Sequence, residues 1–252
     1  FVFKANITNM LEVNEMVDNV VKRMGSITVL INCTTSKIPI IKLSILNLKK
    51  LILAGEGVDL DFKKTITFHH KIAKTMVAFA NNKGGKILIG VMDDGTVKGV
   101  KNEEEERFML LKAGTHFCRP QIIPKFTEHI VDGHLVLLAE IEASDVKPHY
   151  SLGEDLKWWA YIRVKDKCVL ASKIVIDVLQ KAKSIEPVII NFSEKEKTLL
   201  EYLQANEKIT LMAFCDLIKC HRRQGSKILV NLILSGIIRV HYSDKTEYYT
   251  AA

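Results

Sequence analysis

The apolar residues change period across Asn81-Asn82-Lys83-Gly84-Gly85-Lys86, and that switch constrains the fold more than any other feature of the chain. Before it, Ile72, Met76, Phe79 and Ala80 fall on one face of a helix from about His70 to Asn81. After it, Lys86 to Val91, with Ile87-Leu88-Ile89 at its centre, reads as a strand. Gly84-Gly85 therefore sits at a helix-to-strand turn, where glycine either takes a positive φ or lets the backbone approach a ligand closely. Upstream, Val58 to Lys63 alternates apolar and polar, which predicts a half-buried strand. Asp59, Asp61 and Lys63 then share one face, and Leu60 and Phe62 point into the core.

The rest of the middle segment mixes both periods. Leu46 to Ala54 reads as a short helix stopped by Gly55, and Asp93-Asp94-Gly95 as a turn with Thr96 to Val100 returning as a strand. A helix follows over Glu103 to Phe117, closed by Pro120, with its acidic start suited to the helix dipole. Three strands are predicted near 125–131, 134–141 and 159–164, and a last helix from about Leu170 to Lys183. Trp158-Trp159 is expected to anchor the last strand against the core with one ring partly exposed. The class is α+β.

Beyond a linker near Glu186-Pro187, Ser193-Glu194-Lys195-Glu196 has capping-box spacing and opens a helix through Leu199, Leu200 and Leu203. Leu211 to Lys219 is a second helix. Arg223 to Leu234 is a third, with Ile228, Leu229, Leu232 and Ile233 inward and Gly236 after it. Ile237–Tyr242 and Glu247–Thr250 form a hairpin around Ser243-Asp244-Lys245. This order is the winged helix-turn-helix pattern. At the other end, Phe1 to about Leu43 reads as a βαβ unit. The expected division is 1–43, 44–185 and 186–252.

Composition sets the partner class. Lys+Arg number 36 against 29 Asp+Glu, a formal charge of +7 that favours an anionic partner. No apolar run has the length of a membrane span, and no basic-then-apolar leader opens the chain, so a cytoplasmic protein without a membrane partner is expected. Cys33, Cys118, Cys168, Cys215 and Cys220 are odd in number and scattered, which predicts reduced thiols. Cys215 with Cys220-His221 lacks the second ligand pair of a zinc finger. His69, His70 and His149 are expected to be solvated or hydrogen-bonded.

The densest chemistry lies in Glu56, Asp59, Asp61, Lys63 and Lys64, then Asn81 to Lys86, then Asp93-Asp94-Gly95. Lysines beside a glycine turn make a phosphate contact. No Gly-x-x-x-x-Gly-Lys-Ser/Thr run exists, so ATP would have to use Lys83-Gly84-Gly85-Lys86 instead.

Glu56-Gly57-Val58-Asp59-Leu60-Asp61-Phe62-Lys63, Ile72-Ala73-Lys74, Ala78-Phe79-Ala80-Asn81, Gly84-Gly85, Ile89-Gly90-Val91 and Asp94-Gly95 together resemble the Schlafen/AlbA-like domain. Lys147-Pro148-His149 and Ala160-Tyr161-Ile162-Arg163-Val164 are similar to its later part, and the resemblance runs from about Leu46 to Ala182. It implies a mixed sheet with helices, in a layout that pairs this domain with a C-terminal winged helix in transcriptional regulators. Some relatives are metal-dependent endoribonucleases with three acids. On this chain the first two fall on Glu56 and Asp61, and the third on Asp93 or Asp94. Asp61 is one methylene shorter than the Glu usual there. The resemblance thus implies Mg²⁺ or Mn²⁺ at Glu56, Asp61 and Asp93 if the chain is a nuclease, and no cofactor if it only binds.

Nucleic-acid contact is expected from Lys63, Lys64, Lys71, Lys74, Lys83, Gly84, Gly85 and Lys86. Arg222, Arg223, Gln224 and Lys227, at the start of the third C-terminal helix, would read a major groove. Residues 193–252 carry 9 basic and 7 acidic side chains, a modest excess. Winged helices also dock proteins or dimerise, so a homodimer is a further expectation. DNA is favoured over RNA. Separately, residues 1–34 resemble a fragment of a short-chain dehydrogenase/reductase through Phe3 to Thr8, Val17-Asp18, Gly25 and Val29-Leu30-Ile31-Asn32. The glycine-rich dinucleotide turn of that family is missing. The Tyr-x-x-x-Lys spacing of Tyr161 and Lys165 falls on a predicted strand, so no dehydrogenase is expected.

Overall fold

The computed structural model describes residues 48–182, 193–243 and 246–252. The βαβ unit expected over 1–43, Cys33, the linker near Glu186-Pro187 and Lys245 lie outside the described residues.

Residues 48–54 are helical and end where Gly55 takes φ +77°. Strand β1 (Leu60–Lys63), helix α1 (His69–Asn81) and strand β2 (Gly84–Ile89) follow. β1 and β2 pair in parallel, with Leu60 opposite Lys86 and Phe62 opposite Leu88. Helix α2 (Glu103–His116), the short strand β3 (Cys118–Arg119) and the long antiparallel strands β4 (Lys125–Val131) and β5 (His134–Glu142) come next. The main sheet has the order β1-β2-β5-β4.

Both faces of this sheet are covered. Ile87, Ile89, Leu137, Ala139 and Ile141 pack under Ile72, Met76, Val77 and Phe79 of α1. Leu60, Phe62, Leu88 and Val136 pack on the other side with Leu48. The period-two reading of β1 therefore holds for Leu60 and Phe62. The expectation that its polar face is solvated does not, because Asp61 is also buried.

Three further corrections concern strands. Thr96 to Val100 does not pair as a strand: a single bridge joins Val91 and Val97, and the amides of Lys98 and Gly99 instead donate to the Gly90 carbonyl. The strand expected over 159–164 is broken at Ala160. β7 (Trp158–Trp159) joins β3 and β6 (Tyr150–Leu152) in a three-stranded sheet, whereas β8 (Tyr161–Val164) pairs with β9 (Lys167–Leu170). Trp158 is half-buried beneath the Arg119 guanidinium and Trp159 is 36% exposed, donating its indole N–H to Asp155, so neither ring is a core anchor. β9 also takes the residues expected to start the next helix. α3 (Lys173–Lys181) begins instead after Ser172, whose hydroxyl accepts the Val175 N–H at 3.3 Å.

The C-terminal elements are α4 (Glu194–Ala205), α5 (Leu211–Leu217), α6 (Arg222–Leu234), β10 (Ile238–Tyr242) and β11 (Glu247–Ala251). The capping box at Ser193 and Glu196 forms as its spacing predicts. Leu199, Leu203, Phe214, Leu229, Leu232 and Tyr249 make one core, and Ile174 of α3 enters it. On the other flank, Val240 and Tyr242 pack against Ala160, Ala171 and Val175. α3 thus shares apolar contacts with the elements before and after it.

Candidate nucleic-acid interface

Period two puts Asp61 on the α1 side of β1, opposite in direction to Leu60 and Phe62. There Arg163 of β8 meets it. Nη2 of Arg163 is 2.8 Å from Asp61 Oδ1 and donates to the Leu60 carbonyl at 3.1 Å; Nε donates to the Gly57 carbonyl at 2.9 Å. The guanidinium lies 5.1 Å from the Phe79 ring centroid. Lys63 Nζ approaches Asp61 Oδ2 at 2.6 Å and Glu56 Oε1 at 3.9 Å. Glu56 Oε1 accepts the Phe62 N–H at 2.7 Å, which closes the loop ahead of β1.

Burial, together with the charges of Asp61 and Asp93, lifts the Glu56 carboxyl above its ordinary range. The Phe62 N–H and Lys63 only partly counter this. Glu56 and Asp61 are therefore brought together and Asp93 lies within their field. Asp94 stands apart: its Oδ1 accepts the Thr96 N–H at 2.8 Å, and that bond holds its carboxyl below the usual range. Among the described residues no three His, Cys, Asp or Glu side chains converge to hold a metal ion. As the side chains stand, the donor set does not fit Mg²⁺ or Mn²⁺, because Asp61 is already neutralised by Arg163 and Lys63.

The lysines divide. Lys63 is committed to Asp61 and is not a free phosphate contact. Lys64, Lys71 and Lys83 are exposed. Lys71 lies over the Phe68 ring at 4.7 Å and Lys74 over Tyr161 at 4.8 Å. Lys71 belongs to the first turn of α1, and Lys83 lies beyond its other end. The 13 residues of α1 span about 20 Å, so these lysines do not form one patch around the glycines. The glycines answer to packing instead of a ligand. Gly84 takes φ +83°, and a Cβ there would meet the Ile141 carbonyl at 2.6 Å. A Cβ on Gly85 would strike the Phe79 ring at 2.5 Å.

At the other end of the chain, Arg222, Arg223, Gln224 and Lys227 are on the outer side of α6, while Gly225, Ile228, Leu229 and Leu232 are buried on its opposite side. The basic side borders a groove of about 970 Å³ whose other wall is α3, with Lys173, Asp177 and Lys181. Lys173 Nζ pairs with Asp177 at 2.7 Å.

Several residues escaped the sequence reading. Asn81 is buried and donates to the carbonyls of His149 at 3.0 Å and Tyr161 at 2.8 Å, while its Oδ1 accepts the His149 N–H at 2.7 Å. Glu106, expected as a helix-start acid, is buried and accepts from the Ile66 N–H at 2.9 Å and the Thr65 hydroxyl. His70, expected to be solvated or hydrogen-bonded, has Glu154 as its partner at 2.5 Å, a contact the sequence did not indicate. Arg163 had one visible signal, a lone cation inside the strand Tyr161–Val164.

The Schlafen, AlbA_2 family model matches residues 56–172. The chain is also similar to solved structures. The DIP2311 protein from Corynebacterium diphtheriae aligns at 19% identity and TM-score 0.39, over 57% of this chain and 29% of that one. The N-terminal domain of a RecG-related protein from Nitrosomonas europaea aligns at 21% identity and TM-score 0.36, over 50% of this chain and 94% of that one. The alignment thus spans under a third of the Corynebacterium protein. Among the described residues no helix is long and apolar enough to cross a membrane. The matched span takes in Glu56, strand β1 with Asp61 and Lys63, the Asn81–Gly85 turn and Arg163, so it is over residues 56–172 that this chain is similar to the Schlafen, AlbA_2 family.

Proposed function

We propose that this chain binds nucleic acid, with duplex DNA as the ligand and transcriptional control as its role. One observation carries the reading: Arg222, Arg223, Gln224 and Lys227 stand on the outer side of the N-terminal end of α6, and the opposite side of that helix is anchored in an apolar core. A rigid helix that presents arginine and glutamine from its first turn suits base edges, and lysine one turn later suits phosphate. On this reading α4, α5, α6 and the β10–β11 hairpin are a winged helix-turn-helix module. The Schlafen, AlbA_2 domain before it adds Lys64, Lys71 and Lys83 as secondary backbone contacts. The overall excess of basic residues supports an anionic ligand.

The test is a fluorescence-anisotropy titration of the full chain with duplex DNA and with tRNA across a salt series. Arg222→Ala with Arg223→Ala is expected to weaken DNA binding and to flatten the salt dependence by about one unit of slope for each phosphate no longer neutralised. Unchanged affinity and slope would place the DNA-binding surface away from α6. The same samples with Mn²⁺ and with EDTA address the nuclease alternative. RNA cleavage that needs the metal and disappears in Glu56→Ala would overturn the binding-only reading.

A further inference from the structure

We propose that Cys215 and Cys220 are a redox modification site, which a hydroperoxide converts to an intrachain disulfide across the turn between α5 and α6. The backbone already closes this turn: the Cys220 N–H donates to the Cys215 carbonyl at 3.0 Å, and Lys219 between them takes φ +49°. A hydrogen bond that spans five residues after a helix brings the first and last Cα atoms close, as a disulfide requires.

The sulfurs converge as well. A Cβ placed on Gly225 would lie 2.6 Å from Cys215 Sγ and 3.6 Å from Cys220 Sγ, so one side-chain position is shared between the two thiols. Glycine inside a helix costs about 1 kcal/mol relative to alanine. Here it leaves room for both sulfurs under the first turns of α6. Both cysteines are free thiols and partly accessible. Burial and the neighbouring Cys220 raise the Cys215 thiol above its ordinary range.

The chemistry balances with the peroxide as oxidant. The Cys220 sulfur attacks one peroxide oxygen, the O–O bond breaks, and the leaving oxygen takes a proton to become an alcohol or water. The Cys215 sulfur then displaces the hydroxyl from the resulting sulfenic acid, and its own proton leaves with that hydroxyl as water. The two sulfurs lose two electrons, and the peroxide gains them. The bond would be partly exposed, which leaves it open to reduction by thiols and suits a reversible mark. Cys118 is a built-in control: it is buried and its thiol is pushed up to about 12. The consequence rests on the function proposed above, because the disulfide would staple α5 to the end of α6 that carries Arg222, Arg223 and Gln224.

The experiment treats the folded chain with hydrogen peroxide and analyses it by mass spectrometry. Trypsin cuts after Lys219, between the two cysteines, so the bond holds two peptides together. The expected result is a loss of two hydrogen masses, a Cys215–Cys220 linked peptide pair that dithiothreitol releases, and no such pair in Cys215→Ser or Cys220→Ala. Oxidation to sulfinic acid at Cys220 with Cys215 free would overturn the proposal. So would intermolecular dimers alone, or equal yield from the urea-unfolded chain. DNA affinity of the oxidised and reduced forms is read separately. If neither form binds, the proposed function fails while the mass result still decides the modification site.

Discussion

Arg163 Nη2 lies 2.8 Å from Asp61 Oδ1, with the two side chains 2% and 5% exposed. This pair ties the edge strand of the main sheet to the β8–β9 ribbon. It also explains why an acidic strand face can be covered: the charge brought inside by Asp61 is met by a guanidinium that is itself held by two backbone carbonyls. The same arrangement withdraws Asp61 from metal binding.

Breaking the pair from one side leaves a buried charge. Arg163→Met should destabilise the chain by about 3–5 kcal/mol, and Arg163→Met combined with Asp61→Asn should recover much of that loss. Urea unfolding of the two single variants and the double variant gives the coupling directly. A loss under about 1 kcal/mol for Arg163→Met would mean that Lys63 alone satisfies Asp61.

Glu56 sets a pH dependence. Its folded carboxyl titrates above the unfolded value of 4.5, so the protonated form is favoured by folding. The contribution is fully present below the unfolded value and is lost as pH rises through the folded one. Glu56→Gln retains an acceptor for the Phe62 N–H and removes the titration. The variant should therefore gain stability relative to the wild type as pH is raised from 4 towards 7, measured as a difference in urea midpoints.

Gly84 and Gly133 separate a clash from a strained dihedral. Both have positive φ, +83° and +80°, but a Cβ on Gly133 meets nothing within 4 Å, whereas one on Gly84 meets the β5 backbone. Gly133→Ala should cost about 1 kcal/mol, and Gly84→Ala about 1–3 kcal/mol more, because two paired strands must separate. Equal losses would show that β5 can shift at no cost.

Asn81 joins α1 to the loop at His149 and to β8 through three hydrogen bonds. Asn81→Ala should cost about 2–3 kcal/mol, since the buried His149 N–H loses the Asn81 acceptor and the His149 and Tyr161 carbonyls lose their donor. The His149 amide should then exchange with deuterium faster than its neighbours. Unchanged exchange would mean another acceptor replaces it.

What the sequence determined by itself was a set of features governed by short-range rules. The period switch at Asn81–Lys86 placed α1 and β2, the capping box placed the start of α4, and alternation put Leu60 and Phe62 in the core. These features depend on neighbours three or four residues away. Only the tertiary structure decided the fate of the polar residues. Asp61, Glu106 and Asn81 look like surface residues until Arg163, Ile66 and His149, from 40 to 102 positions away, are folded against them. The break of the 159–164 strand at Ala160 has the same cause. Its two halves pair with β6 and with β9, and pairing across the chain outweighs the local propensity that reads them as one strand.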